Sequence, residues 1–317
     1  MSLIINHNLM AMNANRNLAS AYGNLSTSVS RLSSGLRITS AADDAAGLAI
    51  RELMRADIAS LNQGVRNAND AISMIQTADG ALGVIDEKLI RMKELATQAA
   101  TGTYASDQRL IIDSEYQAMA SEITRIANAT DFNGIYLLNG NLSASSTNAA
   151  VANWGNEHKG GGLASTGPLK VHFGTGNDSA EDYYYIAIGN STASALGVGN
   201  ASDAARANGT GNAASGGYSI STQQGAQEAL AALNSAITSK DNIRANLGAL
   251  QNRLENTITN LQIQAENLQA AESQISDADV ATEMTNFVRN QILTQSAVAM
   301  LSQANSLPQM ALQLMQG

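Results

Sequence analysis

Helix breakers are concentrated in the middle of this 317-residue chain, and that decides what its two ends can become. Fifteen of the 26 glycines lie between Gly140 and Gly217, together with Pro168, one of only two prolines. Up to Asn139 and from about Gln223 onward, breakers are sparse enough to permit very long helices. Aromatic residues make up only 4% of the chain and charged residues 14%, a poor set for a compact globule and a workable one for long packed helices. A net charge of -9 argues against a nucleic-acid partner, which calls for a basic face. Cysteine is absent and the three histidines (His7, His158, His172) are scattered. Disulfides, thiol nucleophiles and cysteine-based metal sites are therefore out of reach. No apolar run approaches membrane-span length, so no membrane partner is expected. The start of the chain lacks the pattern of a secretory signal: Arg16 is its only side-chain charge before Arg31, and Leu3 to Ile5 is too short a core.

Near the N-terminus, Leu18, Tyr22, Leu25, Val29, Leu32 and Leu36 repeat with the four-three spacing of a coiled-coil seam. Ser33, Ser34 and Gly35 interrupt it, and Asp43 and Asp44 precede a new periodic run whose first free N–H groups they can cap. That run carries Leu61, Val65, Ala68, Ile72, Ile75, Leu82, Ile85, Leu89 and Met92. From about Ala45 to Ala99 it predicts a helix roughly 80 Å long at about 1.5 Å per residue. A return helix is expected from about Asp107 to Asn128, then a tight hairpin at Phe132-Asn133-Gly134-Ile135-Tyr136.

The C-terminal third mirrors this layout. Leu247, Leu250, Leu254, Ile258, Leu261, Ala265, Leu268 and Ile275 repeat by threes and fours, and after Ser276 a second block runs through Val280, Met284, Val288 and Ile292 to about Leu301. Two broken helical halves at each end imply two layers, the terminal blocks paired with each other and the long inner blocks with each other. The expected fold is mainly α, with long antiparallel coiled-coil helices from both termini, a short β-hairpin and a small β-rich central domain whose clearest strands are Lys170 to Phe173 and Tyr183 to Ile188. Its boundaries read as a terminal helix (1–32), a linker (33–44), a long-helix region (45–140), a central domain (141–222), its helical return (223–276) and a second terminal helix (277–317).

After Val280 the only side-chain charges are Glu283 and Arg289, so the last block lacks the charged outer face of a solitary surface helix. Left alone, the two terminal helices would expose a long sticky seam. Burial by copies of the same chain answers that problem, and identical subunits meeting through different surfaces extend without limit when the contact does not close. The residues expected to drive self-assembly are Leu18, Tyr22, Leu25, Val29, Leu32, Val280, Met284, Val288, Ile292 and Leu301. Those expected in the rod core are Leu61, Ile72, Ile75, Leu89, Leu250, Leu254, Leu261 and Leu268.

Specific stretches then point to a family. Arg31-Leu32-Ser33-Ser34-Gly35-Leu36-Arg37-Ile38, followed by Ala42-Asp43-Asp44-Ala45-Ala46-Gly47-Leu48-Ala49-Ile50, closely resembles the N-terminal signature of bacterial flagellin. Asn13-Ala14-Asn15-Arg16-Asn17-Leu18 is similar to the same family, as are Leu247-Gly248-Ala249-Leu250-Gln251-Asn252-Arg253-Leu254 and Ile275-Ser276-Asp277-Ala278-Asp279 at the other end, with Gln303-Ala304-Asn305 and Pro308-Gln309. The resemblance covers roughly residues 1–140 and 223–317. It implies an extracellular flagellar filament subunit for swimming, exported unfolded through a type III apparatus, with an export chaperone, a cap protein and hook-associated junction proteins as partners. It also implies that the terminal helices form an inner tube, and that a patch read by host Toll-like receptor 5 falls on Arg91 and Leu95 with Glu115 on the return helix. There Arg91 would donate hydrogen bonds and Leu95 would serve as an apolar anchor.

The sequence offers no catalytic motif. A zinc-protease motif needs two histidines four apart around a glutamate, and Glu157-His158 has no second histidine in reach. Gly160-Gly161-Gly162 reads as a turn, Glu181-Asp182 as a solvated loop, and His172 as a strand residue. The chain is expected to be no enzyme and to need no cofactor. The alternatives are a hook–filament junction protein, or a secreted adhesin using Tyr183-Tyr184-Tyr185 and Trp154.

Overall fold

The computed structural model describes residues 8–143, 167–178, 181–199 and 218–316. Among them the chain runs α1 (Leu9–Ser34), α2 (Ala45–Ala100), α3 (Ser106–Ala129), β1 (Asp131–Phe132), β2 (Ile135–Tyr136), β3 (Leu169–His172), β4 (Tyr183–Ile186), α4 (Gln223–Ser276) and α5 (Val280–Gln316). This is the mainly helical fold expected, with strand content limited to two antiparallel pairs. Trp154, His158 and Gly160 to Gly162 lie outside the described residues. The chain forms two compact units, residues Ser60–Gln264 and the combination of Met1–Ala59 with Ala265–Gly317.

Local chemistry explains most helix ends. The Asn8 side chain accepts a hydrogen bond from Ala11 N at 3.0 Å, Asp44 from Gly47 N at 2.9 Å, Thr222 from Gly225 N at 3.1 Å and Asp279 from Ala281 N at 2.9 Å. Each satisfies an N–H that an α-helix start leaves free. Gly35 ends α1 in the left-handed conformation (φ 70) with its N–H donated to the Arg31 carbonyl, a position that glycine adopts without strain. Asn133 (φ 52) and Gly134 (φ 81) make the two-residue turn between β1 and β2.

The unit of residues 60–264 has a filled core. On α2, Leu61, Ala68, Ala71, Ile75, Ala78, Leu82, Ile85, Leu89, Met92, Ala96 and Ala99 are buried at three-four spacing. They are matched on α3 by Tyr116, Ala120, Ile123 and Ala127, and on α4 by Ala226, Ala229, Leu233, Ala236, Leu247, Leu254 and Leu261. Each fully buried Leu or Ile contributes about 1.5–3 kcal/mol. Ile72 and Leu250 sit half-buried at the flank, with Ala71 in the core place beside Ile72. Leu268, in the other unit, is also half-buried.

Ion pairs set the antiparallel register of α2 and α4. Lys240 Nζ meets Asp86 Oδ1 at 2.5 Å and Arg244 Nε meets Asp79 Oδ1 at 2.7 Å. The Lys240 side chain is only 2% exposed, and Asp241 supplies a second carboxylate at 2.7 Å. The hairpin of β3 and β4 lies on both long helices. A Cβ on Gly64 of α2 would fall 1.9 Å from the Phe173 carbonyl oxygen, so only glycine permits this approach. Asn67 donates to the His172 carbonyl at 2.8 Å, and the Arg253 guanidinium of α4 lies 3.6 Å over the Tyr184 ring. Asp113 of α3 receives the Ile220 N–H at 2.7 Å, tying the start of the return to α4.

Asp182 is no loose solvated residue. Its carboxylate accepts the N–H groups of Gly176 and Asp178 at 3.2 and 2.7 Å, and its backbone carbonyl accepts those of Phe173 and Gly174. The hydrogen bonds to Asp178 and Gly176 hold its carboxyl below the usual aspartate range.

Candidate self-assembly surface

The other unit is organised around the α1–α5 pair. Asn8 Nδ2 donates to the Ala304 carbonyl at 2.7 Å, and at the opposite end of α1 Arg31 stands 3.9 Å from Glu283 near the start of α5. The two helices therefore run antiparallel. The inward face of α1 carries Ala11, Ala14, Leu18, Ala21, Leu25, Ser28 and Leu32, with Ala21 and Ser28 fully buried and the rest half-buried. On α5 the matching face is Glu283, Phe287, Asn290, Thr294, Ala297, Leu301 and Ala304. Both follow a strict three-four spacing, and small or polar residues hold alternate positions.

This corrects the expected seam. Leu18, Leu25, Leu32 and Leu301 belong to it, but Tyr22 (54% exposed) and Val29 (48%) do not. On α5, Val280, Met284, Val288 and Ile292 are likewise exposed. The physical reason is close approach: Ala21 and Ser28, each one residue before the expected position, let the backbones come together where Tyr22 and Val29 would hold them apart. A search for small residues in the same heptad frame would have found them.

Many large apolar side chains are thus left outward on both helices, including Leu9, Met12, Tyr22 and Val29 on α1 and Val280, Met284, Val288, Ile292, Val298 and Met300 on α5. Against them stand only Arg16, Arg31, Glu283 and Arg289 as formal side-chain charges on α1 and α5. Exposed apolar area of this extent on an almost uncharged surface marks an interaction face.

The breaks that set off α1 and α5 are joined to each other. Leu36 bridges Asp277 antiparallel, Arg37 N donates to the Ser276 carbonyl at 2.6 Å, and Ala278 N donates to the Gly35 carbonyl at 2.9 Å. The Asp43 carboxylate gathers the N–H and hydroxyl groups of Thr39 and Ser40 within 3.2 Å. Those bonds, the Thr39 hydroxyl first, hold its carboxyl below the ordinary aspartate range. The Thr282 hydroxyl does the same to Asp279.

In the unit of residues 60–264, Arg91 donates from Nε and Nη2 to Glu115 Oε1 at 3.0 and 2.8 Å and from Nη1 to Glu94 at 3.0 Å. Glu115 is the leading cause that raises the Arg91 pKa. Both partners remain accessible, at 49% and 42%. Leu95 is 2% exposed. It faces the core and is unavailable as an apolar anchor, a correction that follows from its place on the buried face of α2.

Among the described residues, no three His, Cys, Asp or Glu side chains gather as a metal site would need, and no helix is long and apolar enough to cross a membrane.

Comparisons with known proteins place this geometry. Residues 5–143 match the bacterial flagellin N-terminal helical region and residues 230–315 the bacterial flagellin C-terminal helical region. The chain is 38% identical over 313 residues to flagellin FlaB2 of Treponema pallidum (strain Nichols), covering 99% of this chain and 100% of that one. It is 39% identical to the flagellar filament 33 kDa core protein of Treponema phagedenis, with the same coverage. It is 41% identical to flagellin of Bacillus subtilis (strain 168), covering 98% and 99%. Among solved structures, a protein described as a flagellar hook-associated protein from Vibrio parahaemolyticus aligns with a TM-score of 0.53 at 14% identity, covering 74% of this chain and 100% of that one, and shares the fold.

Proposed function

The chain belongs to the bacterial flagellin family and is a structural subunit of the flagellar filament, and we propose that it polymerises by burying the outward apolar residues of α1 and α5 between copies. The observation that carries this reading is the outer face of that helix pair, where Tyr22, Val29, Val280, Met284, Val288 and Ile292 stand exposed while Ala21, Ser28, Thr294 and Ala304 hold the most buried places. Full burial of a Val, Met or Ile contributes about 1.5–3 kcal/mol and these are already about half covered, so many side chains acting together are needed to offset the cost of association. Agreement with filament proteins over nearly the whole chain favours this role over a junction protein, and the hook-associated likeness speaks for fold alone.

The subunit works outside the cell, reached by a dedicated export route. Before assembly, an outward face like that of α5 needs cover, which gives an export chaperone its surface, and a cap protein and hook-associated junction proteins meet the two ends of the polymer. In the unassembled chain the terminal helices, residues 8–30 and 285–316, are loosely helical and become protected only in the filament. Host Toll-like receptor 5 is proposed to read Arg91 and Glu115, with Leu95 only supporting them from the core. An Arg91→Ala, Glu115→Ala double variant that folds normally and keeps full receptor affinity would remove that assignment.

Electron microscopy of the purified chain after seeding, or after adding a salting-out ion that strengthens apolar burial, tests the main reading. Long uniform filaments are expected; persistent monomers would refute it.

A further inference from the structure

The α1–α5 pair has two unlike sides. On one, a groove of about 740 Å³ runs between the helices, lined by residues that include Met10, Asn13, Asn17 and Asn24 of α1 and Met300 and Gln303 of α5. No lining side chain carries a formal charge. The other side follows from the buried frame. Tyr22 and Val29, seven residues apart, each lie one position after a buried residue of α1 (Ala21, Ser28), whereas Asn17 and Asn24 each precede a seam residue (Leu18, Leu25). The tyrosine and valine therefore flank the seam opposite the asparagines. On α5, Met284 and Val298 follow Glu283 and Ala297 of the seam in the same way and fall on that same opposite flank. One flank of the pair is a groove walled by amides, thioethers, alanines and Leu293, and the other is a row of exposed apolar side chains.

We propose which faces meet between successive copies: the Tyr22–Val29 row of one copy seats in the α1–α5 groove of the next. The inference rests on the filament reading and adds to it which faces meet. Three observations favour a second copy as the occupant. Each copy carries both halves of the contact. Neither half presents a formal charge to be desolvated. The groove is the flank of the α1–α5 seam itself, so filling it extends existing helix packing outward. Contact of groove with groove, or row with row, would be isologous and close into dimers, whereas row into groove leaves both outer faces open and propagates. The methionines at the groove adapt their shape to the entering ring, and the asparagine and glutamine amides can pair with the Tyr22 hydroxyl.

The chain has no cysteine, so a single introduced thiol reports only contacts between copies. Tyr22→Cys is grown on wild-type seeds together with Asn13→Cys, Asn17→Cys or Asn24→Cys, treated with a short bis-maleimide, and covalent dimers are measured on a denaturing gel. At least one mixed filament is expected to yield dimers severalfold above either variant polymerised alone. Tyr22→Cys filaments that link to themselves as strongly would show an isologous contact and overturn the inference. So would filaments that form normally and give no link with any of the three groove positions. If Tyr22→Cys does not assemble, Val29→Cys takes its place with the same criteria. Failure of the wild-type chain to form filaments would instead count against the filament reading, independently of the cross-link pattern.

Discussion

The α2–α4 region and the α1–α5 pair use the same three-four spacing and reach opposite outcomes. Along residues 60–264 the buried frame carries Ile75, Leu82, Ile85 and Leu89, all nearly inaccessible, and cross-helix ion pairs at Asp86–Lys240 and Asp79–Arg244 fix the register. In the terminal pair the buried frame carries Ala21, Ser28, Thr294 and Ala304 instead. Leu18, Leu25, Leu32, Phe287 and Leu301 share that frame half-buried, many other large apolar side chains lie outside it, and the cross-helix ion pair Arg31–Glu283 is long at 3.9 Å. The first region buries its large apolar side chains within the chain, and the second leaves many of its own at the surface. Helical periodicity alone therefore does not tell how much of a helix pair's apolar surface is buried; the size of the residues in the buried frame does.

The sharpest way to break this comparison is to truncate one residue from each region. Leu82→Ala is expected to destabilise the unassembled chain by about 2–5 kcal/mol, as buried Leu-to-Ala changes do. Val288→Ala, at an exposed position, is expected to stay within about 0.5 kcal/mol while raising the concentration needed for polymerisation. Denaturant unfolding of the monomer and sedimentation of the polymer measure the two. Equal monomer destabilisation by both variants would erase the distinction.

A second test concerns the hairpin laid on the long helices. Gly64→Ala places a methyl against the Phe173 carbonyl and is expected to cost about 1–3 kcal/mol through overpacking, with loss of amide protection at the His172 and Phe173 strand end. Unchanged exchange there would mean that the hairpin does not depend on the close approach.

The buried lysine offers a third, smaller contrast. Asp86→Asn leaves Lys240 buried with Asp241 as its remaining carboxylate, and is expected to cost about 1–3 kcal/mol. Lys240→Met removes the charge along with the need for it and is expected to be neutral or slightly stabilising. Thermal unfolding of the two variants decides, and the reverse order would show that the ion pair itself stabilises the rod.

The smallest expected effect is electrostatic and belongs to the joined breaks. Asp43 and Asp279 have carboxyls held below their ordinary range. Their contribution is fully present above the ordinary aspartate value and is lost as pH falls through the lowered one. Amide exchange at Thr39, Ser40 and Ala281 is expected to accelerate in that acidic window, and Asp43→Asn is expected to abolish the acid dependence at Thr39 and Ser40.

Most of the fold was legible in the chain. The extents of α2 and α3, and the hairpin at Asn133-Gly134, follow from breaker placement and turn chemistry and fall within a residue or two of the expected bounds. That Val280, Met284, Val288 and Ile292 form an apolar set on a nearly uncharged helix was legible. Their arrangement was not. The positions 18, 22, 25, 29 and 32 and the positions 18, 21, 25, 28 and 32 both satisfy a three-four repeat, and choosing the larger residue at each step selects the wrong frame. The same preference promotes Ile72 over Ala71. Leu95 was misread for a related reason: its helix face is shared with Arg91 in a one-dimensional view, but only the packed bundle shows that one side chain turns inward while the other reaches Glu115.

By itself, the sequence determined where helices run and stop, because glycine, proline, asparagine and carboxylate caps act through backbone conformation and hydrogen bonds a few residues away. It also determined that the ends lack the charge a solitary surface helix needs. Only the tertiary structure decided which of two overlapping heptad frames is buried, that Gly64 admits the hairpin, and that Tyr22, Val29, Met284 and Val288 face outward. Those outcomes depend on how near two backbones come, a distance set by both partners at once.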